Sequence, residues 1–285
     1  MTVVPEHRSE HRLGERAGSA ELLADVAEVG SGIPITWLVD EVLDDGVRER
    51  RFRVVRDGRT VPGALWSPLG AEGQRPLVLL GHGASGSTLQ DHVVGLARRL
   101  AHDHRIAAAA IDGPVHGERR AGPPAPSPLV LAEFAQLWAN EGDAMTDEMV
   151  ADWIATLDAL QSLPEVGRGP VGWWGVSMGT IIGLPVVAAD ERIRVAVLGL
   201  MGLTGPTRAR IGRDAPAVRC PVLFLVQWGD AMFPPDSGIA LWEALGSPDK
   251  RLLAHPGGHG DLPADAFETS LSFLVHHLRD DGGPR

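Results

Sequence analysis

From residue 76 onward, short apolar runs alternate with longer segments in which apolar residues recur at helical spacing. Continuous apolar runs of this length are typical of strands that are buried on both faces of a sheet. Their alternation with helices predicts crossover connections, and hence an α/β fold with a doubly wound, mostly parallel sheet. The predicted strands in this part are 77–80, 106–111, 171–176, 195–200, 222–226 and 251–254. The predicted helices are 89–100, 151–163, 179–189, 237–245 and 264–278.

Two further strands are predicted before the alternating part of the chain. Residues 51–56 and 60–66 are separated by the turn pair Asp57 and Gly58, which favours a hairpin. Because a hairpin is antiparallel, these strands are expected to form an antiparallel N-terminal edge. Together with the parallel strands they predict a sheet of about eight strands.

The N-terminal region predicts little regular structure. Residues 1–20 are charged and aperiodic, which indicates a disordered or frayed tail, and residues 21–29 are compatible with a short helix. The remaining chain is long enough to bury one large core. We therefore expect residues 21–285 to form a single domain.

One connection interrupts the strand–helix alternation. Residues 121–147 begin with a proline-rich stretch and delay the next helix, although 129–139 is itself compatible with a short helix. Connections of this length inside compact domains are usually functional. We interpret this segment as a small lid over the carboxyl ends of the strands, with a plain surface excursion as the alternative.

Composition narrows the classes of protein that the chain can belong to. Of 285 residues, 44% are hydrophobic and 22% are charged, which excludes a disordered chain. The formal net charge of −11 argues against a nucleic-acid partner. The single cysteine, Cys220, excludes an internal disulfide and a multi-cysteine metal site, and the absence of tyrosine excludes tyrosine-based catalysis. Neither a secretory signal nor an apolar run of membrane-spanning length is present, so we expect a cytoplasmic protein with no membrane partner.

The sequence Gly-Val-Ser-Met-Gly between a predicted strand and a predicted helix carries the strongest chemical signal. A serine at such a sharp turn, here Ser177, lifts its hydroxyl above the edge of the sheet, and the flanking Gly175 and Gly179 permit the turn. The N-terminus of the following helix favours negative charge that develops there. The arrangement predicts that Ser177 is a nucleophile, with an ordinary glycine-flanked turn as the alternative.

A serine nucleophile needs a base and a carboxylate that orients the base. Asp230 follows a buried strand, and His259 lies in a glycine-rich loop after the last predicted strand, so both come after the serine in the chain. His255 is an alternative base closer to the strand end. Asp236 and Asp261 are alternative acids, although both are also suited to capping or solvent-exposed positions.

Acyl transfer also requires two N–H donors for the oxyanion of the transition state. The backbone of Met178, directly after the nucleophile, is one candidate. The other is Ala84, in a loop in which Gly81, Gly83 and Gly86 allow close approach of the backbone. A plain glycine turn is the alternative function of this loop.

Apolar side chains near the predicted strand ends and in the predicted lid are candidates for a substrate pocket. Those that follow strand ends are Met201, Trp228 and Phe233, and those in the lid segment are Phe134 and Trp138.

Together these residues resemble the α/β-hydrolase superfamily. The matching pieces are the loop that begins at His82, the Gly175–Gly179 turn, Asp230 and His259, which occur in the order of the superfamily. Residues 111–119, Ile-Asp-Gly-Pro-Val-His-Gly-Glu-Arg, look like a stretch of the dienelactone hydrolase-like and prolyl-oligopeptidase-like branch. The nucleophile differs from the cysteine of dienelactone hydrolases, which argues against that particular substrate.

The resemblance implies an α/β-hydrolase fold and a serine hydrolase that cleaves carboxylic esters of small molecules through an acyl-enzyme, without a cofactor or metal. A peptidase, a thioesterase or a carbon–carbon bond hydrolase would use the same three side chains and stays open. So does a non-catalytic binding protein with a hydrolase-like fold. His116, in the motif at 111–119, is expected to have a structural role rather than to bind metal. The oligomeric state is not predicted.

Overall fold

The structure, a computed structural model, describes residues 26–27, 33–43, 45–70 and 73–279; the predicted tail at 1–20 lies outside these residues. Within the described ranges, ten strands form one sheet. They are β1 (Val26–Ala27), β2 (Ile35–Val42), β3 (Val47–Arg56), β4 (Arg59–Pro68), β5 (Leu77–Gly81), β6 (Ala107–Ile111), β7 (Val171–Gly175), β8 (Ile193–Gly199), β9 (Val222–Gln227) and β10 (Lys250–His255).

The strand order across the sheet is β1-β2-β3-β4-β6-β5-β7-β8-β9-β10. Strands β1 to β4 are antiparallel, and β4 pairs antiparallel with β6. All pairs among β5 to β10 are parallel. The predicted mostly parallel sheet with an antiparallel N-terminal edge is therefore confirmed, with ten strands among the described residues in place of about eight.

The antiparallel edge is longer than its apolar pattern indicates. Strand β3 begins at Val47 rather than at residue 51, and β2 was not predicted. These strands accommodate charged residues by burying their stems: the guanidinium of Arg50 lies 4.0 Å above the ring of Trp37 and pairs with Glu165. The helix predicted over 21–29 is wrong at Val26–Ala27, which is a strand, and its other residues lie outside the described ranges.

Helices cover both faces of the sheet and separate two cores. Helices α1 and α6 pack on one face, against side chains such as Val78 and Leu80, while α2, α3, α4 and α5 pack on the other face, against side chains such as Leu77 and Leu79. Because successive side chains of a strand point to opposite faces, β5 contributes to both cores. The helices are α1 (Asp91–His104), α2 (Ser127–Gln161), α3 (Met178–Ala189), α4 (Arg208–Asp214), α5 (Pro235–Ala244) and α6 (Ala264–Arg279).

Helix α2 combines two segments that the sequence predicts separately. The predicted helices at 129–139 and 151–163 both fall within Ser127–Gln161, except for the last two residues of the second. The backbone leaves helical geometry at Glu141, with φ −131° and ψ 21°, which marks a kink between the two halves. Among the described residues, no helix is both long enough and apolar enough to cross a membrane.

Candidate active site

Ser177 occupies a sharp turn between β7 and α3. Its backbone has φ +58° and ψ −120°, a conformation that side-chain-bearing residues rarely adopt, and its N–H donates to Gly199 O at 2.9 Å. Both flanking glycines are required by close packing. A Cβ on Gly175 would lie 2.7 Å from Gly179 O, and a Cβ on Gly179 would lie 2.6 Å from Gly81 O. The local backbone therefore presents the serine hydroxyl at the carboxyl edge of the sheet.

The structure brings the predicted base and acid to this serine. His259 Nε2 lies 2.9 Å from Ser177 Oγ, and His259 Nδ1 lies 2.7 Å from Asp230 Oδ2. The other carboxylate oxygen, Oδ1, accepts hydrogen bonds from the amides of Met232 at 2.8 Å and Phe233 at 2.9 Å. A carboxylate held in this way keeps the Nδ1 proton on the imidazole, which leaves Nε2 free to accept the serine proton.

The alternative residues do not reach the serine. His255 ends β10, its carbonyl accepts a hydrogen bond from the amide of Trp228, and its Nε2 is buried without a partner among the described residues. Asp261 accepts a hydrogen bond from the amide of Gly258 at 2.9 Å, and Asp236 lies in the first turn of α5. Asp261 therefore has a local role in the backbone of its own loop, and Asp236 lies in the first turn of a helix, where negative charge is favourable.

The amides of Ala84 and Met178 are available at the same point. Both residues border the cavity above Ser177, and neither amide donates a hydrogen bond to another described residue. Met178 is the first residue of α3, where backbone N–H groups have no partner within the helix. These two amides are therefore the candidates for the N–H donors that an oxyanion hole requires.

The loop that contains Ala84 is tied to the end of β6 by buried polar groups. Asp112 accepts hydrogen bonds from the amides of Thr88 at 3.0 Å and Glu118 at 2.9 Å. His82 and His116 are almost completely buried, and their rings lie 5.0 Å apart in an edge-to-face arrangement. His116 contacts backbone carbonyls, and no group of three or more His, Cys, Asp or Glu side chains suited to a metal ion occurs in the described ranges.

A cavity of about 740 Å³ opens above Ser177 and is lined from both faces of the sheet. Of the five predicted pocket residues, Phe134, Trp138 and Phe233 line it, and their rings pack with centroid distances of 6.3 Å. Trp228 does not, because its side chain turns outward and is 53% exposed. Met201 does not either, because its side chain is buried in the core on the α2 side of the sheet.

Other lining residues were not predicted. In α2, residues 128, 131 and 135 line the cavity beside the predicted Trp138, and their spacing of three and four is the signal by which one helical face could have been recognised. A second aromatic group, His92, Trp174 and Phe267, lines the opposite side, with ring centroids 5.8–6.2 Å apart. His92 and Phe267 carry no such signal, because they reach the cavity only through the packing of α1 and α6.

Solved structures similar to this chain include several esterases. A cold-adapted esterase from an Arctic intertidal metagenomic library is 41% identical, with a TM-score of 0.74 over 84% of this chain and 97% of that chain. Acetyl xylan esterases from Paenibacillus sp. R4 (18% identity, TM-score 0.67, 90% and 89% of the two chains) and Thermoanaerobacterium sp. JW/SL YS485 (15%, 0.65, 85% and 87%) share the fold. No protein-family model and no curated protein sequence matches the chain.

A serine on a strand–helix turn, followed in the chain by an acid and a histidine at the carboxyl edge of this sheet, defines the α/β-hydrolase class of proteins. Within this class, the 41% identity to a solved esterase, over 97% of the length of that esterase, identifies the family. The chain belongs to the α/β-hydrolase esterase family.

Proposed function

We propose that the protein hydrolyses carboxylic esters of small molecules through an acyl-enzyme intermediate on Ser177. The observation that carries this proposal is a pair of linked hydrogen-bond contacts: Ser177 Oγ lies 2.9 Å from His259 Nε2, and His259 Nδ1 lies 2.7 Å from Asp230 Oδ2. The amides of Ala84 and Met178, which donate to no other described residue, border the same cavity. Such an arrangement activates a serine hydroxyl that would otherwise be a poor nucleophile.

In the first half of the reaction, Ser177 Oγ attacks the ester carbonyl carbon while its proton passes to His259 Nε2. The carbonyl oxygen becomes an oxyanion, which the amides of Ala84 and Met178 stabilise. The carboxylate of Asp230 stabilises the imidazolium that forms. When the tetrahedral intermediate collapses, the bond to the alcohol oxygen breaks, and His259 donates its proton to the departing alcohol.

In the second half, water replaces the alcohol. His259 Nε2 removes a proton from the water, whose oxygen attacks the acyl carbon, and the same two amides stabilise the second oxyanion. Collapse releases the carboxylic acid and returns the proton to Ser177 Oγ. Each proton therefore travels through one imidazole, and the reaction consumes only ester and water.

The cavity lining supports an uncharged substrate. Among the described residues that line it, none is Asp, Glu, Lys or Arg. A formally charged group would leave water here without an opposite charge to compensate for its lost hydration. We therefore propose esters whose acyl and alcohol parts are both uncharged, with the N-terminal half of α2 covering them.

The experiment that tests this proposal is intact-mass labelling with a fluorophosphonate, which reports an activated serine without assuming a substrate. We expect one adduct on the parent protein and none on Ser177→Ala. Ser87→Ala is the matched control, because Ser87 lies in the same loop as Ala84 and its hydroxyl accepts a hydrogen bond from the amide of Leu89 at 3.3 Å. This control should label fully.

A panel of uncharged esters, thioesters and amides with equal acyl groups then identifies the reaction. We expect the esters to give the highest kcat/KM, with every activity lost in Ser177→Ala. A well-folded parent protein that takes no adduct and hydrolyses none of the panel would contradict the proposal and favour a binding protein. A preference for amides or thioesters would contradict only its ester part.

A further inference from the structure

Two buried histidines each face one of the peptide groups on either side of Ala84. His82 Nδ1 lies 2.8 Å from Gly83 O, and His116 Nε2 lies 2.8 Å from Ala84 O. The two histidines come from different strand ends, since His82 follows β5 and His116 follows β6. The mechanism described above uses neither of them.

The first contact acts on the peptide group that supplies the oxyanion donor. Gly83 O and the Ala84 N–H belong to one planar trans peptide, in which C=O and N–H point in opposite directions. A donor that holds Gly83 O on one side therefore aims the Ala84 N–H to the other side. The second contact holds the next peptide plane through Ala84 O, so that the rotations on both sides of the Ala84 Cα are restrained.

The environment of His82 selects the proton position that this contact requires. Its Nε2 accepts a hydrogen bond from the amide of Gly113 at 2.8 Å, so the ring proton resides on Nδ1, opposite Gly83 O. Burial, together with the neighbouring His116, lowers the pKa of His82 to about 3. The ring therefore remains neutral, with a single proton, under all ordinary conditions.

His116 has a carbonyl oxygen opposite each ring nitrogen, and a proton on Nε2 is the one that the contact with Ala84 O requires. His116 is fully buried, its Nδ1 lies 2.5 Å from Pro114 O, and its ring lies 5.7 Å from that of Phe134. The preceding residue, Val115, has φ +58°, a conformation that is strained for a β-branched residue. Strain of this kind persists where the surrounding structure requires it, and here it occurs directly before the residue whose ring contacts Ala84 O.

We propose that His82 and His116 are positioning residues that clamp the oxyanion-hole loop, His82 through Nδ1 on Gly83 O and His116 through Nε2 on Ala84 O. The inference rests on the proposed ester hydrolysis. An amide that is aimed at the developing oxyanion stabilises the transition state more than the bound ester, so loss of the clamp lowers kcat and leaves KM nearly unchanged.

Substitution of a histidine by asparagine or by glutamine tests its two ring nitrogens separately. The amide nitrogen of asparagine occupies the place of Nδ1, and that of glutamine occupies the place of Nε2. We expect His82→Asn to keep kcat within about fivefold, and His82→Gln to lower it on the order of 100-fold. At position 116 we expect the reverse order: His116→Gln keeps kcat within about fivefold, and His116→Asn lowers kcat on the order of 100-fold.

Two controls separate positioning from general stability. Thr156→Val removes a buried hydrogen bond, from Thr156 Oγ1 to Asp152 O at 2.8 Å, in the half of α2 that does not line the cavity. Its kcat should stay at the parent value even where its Tm falls. In all folded variants fluorophosphonate labelling should reach one adduct, while the labelling rate falls in parallel with kcat.

The tautomers of the parent protein provide a measurement that needs no substitution. Long-range ¹H–¹⁵N spectra should show the proton of His82 on Nδ1 and a proton of His116 on Nε2. A His116 ring protonated only on Nδ1 would overturn the clamp, because Ala84 O would then face no donor.

Equal kcat values for the Asn and Gln variants at both positions would also overturn the clamp. So would losses of kcat that are proportional to the decrease in Tm across all variants, the Thr156→Val control included. These failures differ from a failure of the proposed function. In the latter case, the parent protein itself takes no adduct and hydrolyses no ester.

Discussion

The side chain of Asp230 is held by three hydrogen-bond donors. Its side chain is 1% exposed, and its oxygens face His259 Nδ1 and the amides of Met232 and Phe233. All three groups donate hydrogen bonds, so both carboxylate oxygens are engaged as acceptors. The residue can therefore hold the imidazole proton on Nδ1, and it cannot easily be replaced by a neutral analogue.

We predict that Asp230→Asn lowers kcat on the order of 10⁴-fold, because the amide no longer fixes the tautomer of His259 or stabilises its charged form. The measurement is steady-state hydrolysis of an uncharged ester. Asp261→Asn is the matched control, because its side chain can still accept the hydrogen bond from Gly258. A loss of equal size in both variants would show that the loop, and not the acid, is responsible.

The sequence predicts the three side chains beside the turn at Ser177 better than it predicts the side chains that line the cavity. Ser177, Asp230 and His259 follow strands in a fixed order, and parallel strands end at one edge, so the pattern brings them together. Side-chain direction beyond a strand end is not determined by the pattern. Trp228 turns outward and Met201 turns into the core, because the loops after β9 and β8 rotate them away from the cavity.

At the scale of elements, helix α2 serves the site with one half and the core with the other. Before the kink at Glu141, its residues line the cavity, and Trp138 packs between Phe134 and Phe233. Trp138 Nε1 also donates to Thr207 Oγ1 at 3.0 Å, which anchors this half to the segment before α4. After the kink, the buried side chains face the sheet.

We predict that Trp138→Ala lowers kcat/KM for bulky aromatic esters about 10–100-fold, since burial of a large apolar side chain contributes about 1.5–3 kcal/mol. Acetate esters of small alcohols should change much less, because they do not reach the removed ring. Leu129→Ala, on the exposed side of the same helix, is the control. Equal losses for large and small esters would contradict a role of Trp138 in the cavity wall.

The sequence could predict the halves of α2 but not their continuity. Both halves have apolar residues at helical spacing, whereas the residues between them include Asn140, Gly142 and Asp143, which are weak helix formers. That preference is visible as the kink at Glu141, and beyond it the helix resumes earlier than predicted because Met145 and Met149 are buried in the core. Tertiary contacts also explain β2 and the start of β3, whose charged side chains find partners only in the folded sheet.

At the scale of the whole molecule, buried polar groups connect parts of the chain that are far apart in sequence. The carboxylate of Asp152 in α2 is fully buried and accepts hydrogen bonds from Arg56 of β3 at 2.8 Å and Arg119 at 2.6 Å. Removal of either arginine would leave part of this charge buried without compensation. The antiparallel edge, the 111–119 motif and α2 are thereby joined at one point.

Acid should destabilise the folded molecule through His82. Its pKa is about 3 in the folded protein and 6.5 in an exposed histidine, so between these values the unfolded chain binds the extra proton. Above pH 6.5, His82 does not lower the free energy of unfolding. Between pH 6.5 and 3, it lowers that free energy by about 1.4 kcal/mol for each unit by which the pH falls.

We therefore predict that the free energy of unfolding of the parent falls by about 2 kcal/mol more than that of His82→Asn between pH 7.5 and 5.0. Urea unfolding at the two pH values measures this difference. If the gap between parent and variant were the same at both pH values, the neutral buried state of His82 would be refuted.

The global arrangement was the most predictable level. Apolar runs and helical periodicity were sufficient for the parallel strands β5 to β9, because these strands are buried and their pattern needs no partner to be recognised. The edge strand β10 is partly exposed, and its short apolar stretch was still sufficient to predict it. The two-residue strand β1 could not be predicted, because its pairing within the described part of the chain is with Thr36 and Ile35 of β2, further along the sequence. Long-range pairing, and not local preference, determines such an edge.

The backbone of Ser177 has a consequence for how such a protein evolves. At φ +58° and ψ −120°, a side chain costs about 1–2 kcal/mol that glycine would avoid. Ser177→Gly should therefore unfold at a higher temperature than Ser177→Ala, although both lack the hydroxyl, and a calorimetric comparison measures the difference. Equal Tm values would show that the turn carries no strain. A population selected for heat resistance alone would drift toward glycine at this position, and under the proposed mechanism it would become inert, so that mechanism requires continued demand for the reaction to keep serine there.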